Sequence, residues 1–412
     1  MSLINELKSR NLPPLKSREE MVDIIQKEVF GYFPSAEFSV SVSDPVSEYD
    51  RYMIYTVEHS YVTMTVTVGD KSHSFRVDRL LHTDGKRRPT VILNNFHPIY
   101  ASRYFPIEEL TEKEVDFISC VYQDVCSDDG DFSNGLAPLL LPNGQNTDCT
   151  SGKIGIWAWA NMRLVDYALT LPSTDPDNIC VMGHSRLGKT ALLTGMMDER
   201  IKFVFSNAAG CSGDSLAIGN SGHNRTGDKF ATGELISDIT TTFPYWFCKN
   251  YLKYREKNVA DTFDQHYLLG AIAPRYVLIG SCSEDHWADP KSQQLCALAA
   301  SEAWEKAGLT GLCGCERYIE PGDNLIRALN SYPYASTTYN VTRFKVISAK
   351  ISEGSFKGKN GEILNVSKDG ILVKCEDGAI LITDVQFEGK KKMPVCEYIK
   401  GNNIEKGVIL GE

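Results

Sequence analysis

Gly183-His184-Ser185-Arg186-Leu187-Gly188-Lys189-Thr190 places a serine, a guanidinium and an ammonium close together along the chain. Two chemistries suit that spacing. G-x-x-x-x-G-K-T is the pattern of a loop whose backbone N–H groups cradle phosphates while its lysine reaches the outer ones. A serine on a sharp strand-to-helix turn is instead an acyl-transfer nucleophile, with the next N–H aimed at the developing oxyanion. Both need a strand, a tight turn and a helix, and "NICVMG" followed by "KTALLTGMM" supplies them either way. A phosphate loop normally opens its domain and needs a carboxylate at the end of a later strand to hold Mg²⁺. Here several strand-like runs precede Gly183, and the next run, "FVFSNAAG", ends without an acid. The phosphate reading is disfavoured. The generic G-x-S-x-G pattern is also imperfect, because Leu187 stands at its fifth position and Gly188 one place later. Taken locally, a helix-capping serine serves as well.

Positioning such a turn requires a sheet. Residues 36–83 alternate polar and apolar, as in "YVTMTVTVGD", which is strand and turn language. From about 88 the grammar becomes βαβ. The runs PTVILNNF, DFISCVYQD, NICVMG, FVFSNAAG and RYVLIG alternate with helical stretches such as 156–171. Continuous apolar strands separated by helices imply a mostly parallel sheet covered on both faces. Ahead of it, "SREEMVDIIQKEVFGYF" reads as a helix, with Ser17 and Glu20 spaced as a capping box. After about 323 short strands are joined by "KDG" and "EDG" turns, the pattern of a small all-β barrel.

Bulk properties bound the rest. The chain has 412 residues, 42% hydrophobic and 23% charged, so most of it folds. No run approaches the roughly 18 apolar residues of a membrane span, and the N-terminus lacks a signal-peptide core. No membrane partner and a cytoplasmic location are expected. The twelve cysteines include no CxxC pair, so neither a zinc ribbon nor a redox motif is indicated; no metal or cofactor is expected. Residues 324–412 carry 13 basic and 10 acidic side chains, a net of +3. The preceding residues carry 30 and 43, a net of −13. Two units follow, 1–323 and 324–412, with different partners.

"GHSRLGKTALLTGMMDERI", "SNAAGCSG", "FPYWF", "FDQHYLLGAIAPR" and "SEDHWADP", in that order, resemble the bacterial glucuronoyl esterase family, carbohydrate esterases of α/β-hydrolase fold also described as acetyl xylan esterase-like. The likeness runs from about residue 18 to about 322. It implies a serine carboxylester hydrolase acting on a carbohydrate ester, with Ser185 as nucleophile and Arg186 as donor to the oxyanion. A guanidinium suits that task, because it is always charged and strongest where water is excluded. Lys189 and Glu234 would then hold the sugar, with Trp246 and Trp287 offering stacking faces. For the acid, one family position falls on Ser206-Asn207-Ala208-Ala209, which offers no carboxylate. The other, after "RYVLIG", offers Glu284, Asp285 and Asp289; the family pattern favours Asp285, and Asp289 before Pro290 reads as a helix cap.

The base is unknown. Chain order in this fold is serine, acid, histidine, yet the last histidine is His286. The likeness stops near "YIEPGDN", so the sheet is expected to lack its final strand and helix. His97, His184, His223 and His266 read as structural or solvated, and impaired activity is expected.

From about Leu325, "LIRALNSYP", "DGAILITDVQFEGKKKM" and "YIKGNNIEKGVIL" resemble the C-terminal domain of methionyl-tRNA formyltransferase, an OB-like barrel that assists tRNA binding. The resemblance implies weak tRNA binding by 324–412 through its basic surface, with Lys390, Lys391 and Lys392 as candidates. The formyl-transferring part is missing, so formyltransferase activity is not expected. The whole reads as a fusion of two incomplete likenesses, and the rival function is a non-catalytic nucleic-acid-binding protein.

Overall fold

The computed structural model describes residues 3–48, 56–99, 111–144, 146–220, 233–282, 285–312, 335–340, 342–352, 354–375, 378–387 and 390–411. The chain divides into two compact units, 1–318 and 319–412. That division and the boundary read from the sequence both fall in 313–334, outside the described residues.

In the first unit the alternating segment forms β1 (Ser39–Val42), β2 (Val46–Ser47), β3 (Val57–Val68) and β4 (Lys71–His82). The apolar runs form β5 (Arg88–Asn95), β6 (Asp116–Val121), β7 (Thr174–His184), β8 (Phe203–Asn207) and β9 (Tyr276–Gly280). They make one nine-stranded sheet in the order β1-β3-β4-β6-β5-β7-β8-β9, with β2 paired to β3. β1 to β4 pair antiparallel, as does β4 with β6. From β6 to β9 every pairing is parallel.

Both faces are covered through the middle of this sheet, and the side-chain alternation shows how. Ile92, Ile118, Ile179 and Val181 join the larger core, while Val91, Leu93 and Phe117 join a separate cluster on the opposite face. The larger core receives the helices Lys153–Ala168 and Arg186–Met197. It also receives the N-terminal helix Arg18–Ile25, whose capping box forms as the spacing predicts. Ser17 Oγ accepts the Glu20 N–H at 3.2 Å, and the Glu20 carboxylate accepts the Ser17 N–H at 3.1 Å. The long helix starts at Lys153, three residues ahead of the expected 156.

At the β9 edge the second face is open among the described residues. Val277 and Ile279 pack on the larger core, while Tyr276 and Leu278 are 61% and 62% exposed. Helix Pro290–Lys306, capped by Asp289 through the Ser292 N–H at 3.1 Å, follows β9. No further strand of this sheet follows among the described residues.

The second unit holds β10 (Ala335–Tyr339), β11 (Thr342–Ser352), β12 (Ile363–Ser367), β13 (Gly370–Cys375), β14 (Gly378–Phe387) and β15 (Met393–Pro394). All pairings are antiparallel, in the order β10-β11-β14-β13-β12 with β15 on β14. "KDG" closes a hairpin at Ser367↔Gly370, and β13 and β14 pair up to Cys375↔Gly378. A side chain at Gly370 would meet the Ile382 carbonyl at 2.3 Å, so the turn glycine is dictated by the neighbouring strand. The C-terminal tail bonds to both sheet edges, Ile363 N–H to Val408 and Gly411 N–H to Thr338, and so curls the sheet round.

Candidate active site

β7 ends at His184 and the next helix starts at Arg186, leaving Ser185 alone in the turn. One residue is too short for a phosphate cradle. Ser185 has φ 56° and ψ −123°, a conformation that costs a non-glycine residue about 1–3 kcal/mol. The glycines explain how it is kept. A Cβ at Gly183 would sit 2.0 Å from the Leu187 carbonyl, so the strand can approach the helix only there as glycine. A Cβ at Gly188 would press Ser206 Oγ and Ala209 Cβ at 3.1 and 3.2 Å, so Gly188 lets the helix lie against β8. The displaced second glycine of the motif therefore has a packing role. The Ser185 N–H donates to the Asn207 carbonyl at 2.9 Å and ties the turn to β8.

Arg186 leaves the helix N-terminus into an aromatic cage. Its guanidinium lies 4.7 Å from the Trp246 ring centroid, 5.4 Å from Phe243 and 5.7 Å from Phe96. One N–H pairs with the Asp128 carboxylate. That carboxylate also accepts Trp246 Nε1–H at 2.7 Å and the Tyr122 hydroxyl at 2.9 Å. The Tyr245 hydroxyl donates to the Asp128 carbonyl at 3.0 Å. Arg186 Nε is buried with no hydrogen-bond partner among the described residues, so the cage leaves a donor unused.

Lys189 points inward, only 3% exposed, and donates to the Ala209 carbonyl. Burial lowers its pKa, and the charge of Glu234 opposes that. Glu234 is buried too: loss of solvent pushes its carboxyl up to about 7, against the pull of Lys189 and a hydrogen bond from Trp287. The Glu234 N–H donates to the Trp287 carbonyl at 3.1 Å, while the indole itself is 49% exposed. Lys189, Glu234 and Trp287 thus form one connected group, with the Arg186 charge also acting on Glu234.

Asp285 lies in the turn before the last helix, where its Oδ1 accepts the Ala288 N–H at 3.2 Å. Its charge faces His184. Partial enclosure lowers the His184 pKa, and Asp285 pulls it back. Asn207 fixes that ring, its amide 3.0 Å from Nδ1, and Phe96 meets it edge-on. Among the described residues no imidazole hydrogen-bonds to Ser185. His97 and His286 are exposed, and His266 bonds the Pro13 carbonyl at 2.9 Å. His223 and Glu284 lie outside the described residues.

Two carboxylates escaped the sequence reading. Asp128 sits in "CSDDGDFSNG", where four acidic or amide residues look alike. Asp214 is fully enclosed beneath Lys189. It accepts from Ser206 Oγ at 2.9 Å, the Gly210 N–H at 2.7 Å and Gln293 Nε2 at 2.7 Å, and burial raises its pKa. Glu48, His59 and Asp78 lie close enough together to share a cation, but the Arg76 guanidinium already bonds both carboxylates, at 2.6 Å to each.

Comparison with known proteins gives a matching family model described as glucuronyl esterase, fungi, over residues 64–308. A second, formyl transferase C-terminal domain, matches 323–403. Carbohydrate esterase MZ0003, from an unknown prokaryotic organism, is 34% identical over 223 residues, 53% of this chain and 49% of that protein. The methionyl-tRNA formyltransferase of Clostridium acetobutylicum is 54% identical over 87 residues, 21% of this chain and 28% of that protein. The chain therefore spans about half the length of one relative and about a quarter of the other. Among solved structures, a promiscuous CE15 esterase from a marine bacterial metagenome superposes with TM-score 0.64 and 25% identity, over 75% of this chain and 83% of that one. A glucuronoyl esterase from Solibacter usitatus gives 0.61 and 25%, over 73% and 82%. No helix among the described residues is long and apolar enough to cross a membrane.

Proposed function

The chain belongs to the glucuronyl esterase family, and from that premise we propose that its first unit hydrolyses the ester of a sugar carboxylate through Ser185. The observation that carries this reading is the strained Ser185 turn with the caged Arg186 guanidinium as its neighbour. Ser185 Oγ attacks the ester carbonyl, and the negative oxygen of the tetrahedral intermediate faces the Arg186 guanidinium and the helix N-terminus. The C–O bond to the alcohol breaks, leaving an acyl-serine that water cleaves to free the acid. Lys189 and Glu234 hold the sugar hydroxyls or carboxylate ester, and Trp287 covers the ring. Asp285 stands at the acid position.

With no imidazole on Ser185 among the described residues, its proton passes to water, and water returns a proton to the departing alkoxide. A serine lacking one triad partner loses several powers of ten in rate, so slow turnover belongs to this reading. The test is release of alcohol from benzyl glucuronate by the native chain and by Ser185→Ala. A native rate above that of the variant supports Ser185 catalysis; equal rates end it.

The C-terminal unit supports a second reading, contact with an RNA backbone, from its net charge of +3 and its relation to a methionyl-tRNA formyltransferase. Lys390 bonds Asn402 Oδ1 at 2.8 Å and lies 5.2 Å from the Tyr398 ring, and Lys392 is engaged as well, so Lys391 is the stronger candidate of the run. Steeply salt-dependent tRNA binding would support this reading, and no binding at low salt would remove it.

A further inference from the structure

Lys153 is the first residue of the long helix Lys153–Ala168, and its side chain is fully buried. Both features are unfavourable. An ammonium loses its hydration on burial, and the positive end of a helix repels it. The chain offsets this by folding the segment 127–134 over the charge. Lys153 Nζ donates to the Asp131 carbonyl at 2.5 Å and to Ser127 Oγ at 3.3 Å, and it lies 4.7 Å from the Phe132 ring centroid. Hydrogen bonds from Ser127 and Ser133 hold the Asp129 and Asp131 carboxyls below the usual carboxylate range, and the Lys153 charge adds to that.

The segment closes on itself around this ammonium. Ser127 Oγ donates to Asp129 Oδ1 at 2.6 Å while accepting from Lys153 and, at 2.8 Å, from Asn134 Nδ2. Asp129 Oδ1 also accepts the Asp131 N–H at 2.9 Å, and Asn134 Oδ1 accepts the Ser127 N–H at 2.9 Å. At the base, the Leu136 N–H donates to the Val125 carbonyl at 2.8 Å. A Cβ on Gly135 would meet that carbonyl at 2.3 Å, so only glycine lets the loop close there. Asp128 stands between Ser127 and Asp129, so the backbone on both sides of it belongs to the network that Lys153 organises. Its own carboxylate is engaged by Arg186, Trp246 and Tyr122.

We propose that Lys153 is a positioning residue: through Ser127 and Asp131 it fixes the loop that holds Asp128 against Arg186, and so sets where that guanidinium meets the oxyanion. Its place in catalysis rests on the esterase reading; its hold on Asp128 does not.

Lys153→Met keeps most of the stem and removes the charge. Asn134 still donates to Ser127 Oγ and, at 3.2 Å, to the Asp131 carbonyl, so neither acceptor is orphaned. Ser127→Ala, at a half-buried position, removes the hydroxyl that joins Lys153 to Asp129, and it keeps the test open if Lys153→Met does not fold. The readout is the Trp246 indole N–H, which donates to Asp128 Oδ1 at 2.7 Å, followed by heteronuclear NMR of the full chain and assigned with Trp246→Phe. The expected result is a shifted signal that exchanges with solvent about tenfold faster in Lys153→Met and about threefold faster in Ser127→Ala. The Trp304 indole, bonded to the Arg275 carbonyl at 3.0 Å, should stay unmoved in both. On benzyl glucuronate, Lys153→Met should lower kcat about tenfold at unchanged KM, but less than about twofold in an Asp128→Asn background, because both substitutions act on one contact. An unmoved Trp246 signal with native exchange in the folded variants overturns the proposal, as does an undiminished kcat loss on top of Asp128→Asn. A Trp246 response in a chain that hydrolyses the ester no faster than Ser185→Ala removes the esterase reading and leaves the hold of Lys153 on Asp128 standing.

Discussion

Arg186 is set by partners distant in the chain: Asp128 lies 58 positions earlier and Trp246 stands 60 positions later. Asp128 takes a charge-assisted bond and is itself held by Trp246 and Tyr122, so the guanidinium is presented in one orientation before any substrate arrives. Asp128→Asn keeps the shape and weakens the charge. It is expected to lower kcat on a glucuronate ester by about 10- to 100-fold with KM little changed, because the bond matters when oxyanion charge develops. Steady-state kinetics check this, and a change confined to KM would contradict it. Glu234 makes a prediction of another kind. Its folded pKa, about 7, lies above the ordinary 4.5, so folding favours the protonated form. Its contribution is full below 4.5 and is lost as pH rises through about 7. Urea unfolding should show stability falling across that window. Glu234→Gln should flatten the slope by on the order of 1–3 kcal/mol, and an unchanged slope would show the shift is absent.

At the scale of elements, legibility followed locality. Ser17 and Glu20 cap their helix because every partner lies within one turn. Ser185 was readable as an elbow because strand, turn and helix are consecutive in the chain, and the hairpin at Gly370 was readable for the same reason. Asp128 was illegible among its acidic neighbours, since its partners Arg186 and Trp246 lie far along the chain. The inward aim of Lys189 came only through the family likeness, because a lysine in a helix reads as solvated until Trp246 and Glu234 are packed over it. Among the described residues β9 ends the sheet. Its Tyr276 and Leu278 place apolar surface on an edge strand, an invitation to association. Leu278→Lys should slow aggregation seen by light scattering while changing urea-measured stability by less than about 0.5 kcal/mol, as exposed substitutions do. A large loss of stability would mean that Leu278 is covered in solution.

On the scale of the molecule, two cores are built from separate stretches of chain. Among the described residues the first unit's clusters draw on residues up to Trp304, and the second unit's on residues from Tyr339 onward. Every tryptophan (Trp157, Trp159, Trp246, Trp287 and Trp304) belongs to the first unit, so intrinsic fluorescence reports that unit alone. The second core centres on Phe387, whose ring stacks on Phe344 at 4.6 Å and on Tyr398 at 4.1 Å. Phe387→Ala removes both stacks and opens a cavity, a change that costs about 3–5 kcal/mol in a well-packed core. For a unit of this size that approaches its whole stability. The expected outcome is an early loss of far-ultraviolet circular dichroism at low urea while the fluorescence midpoint stays where it is in the native chain. A fluorescence midpoint that falls together with the dichroism would show one cooperative block, and the fused unit would then be part of what holds the Ser185 turn in place.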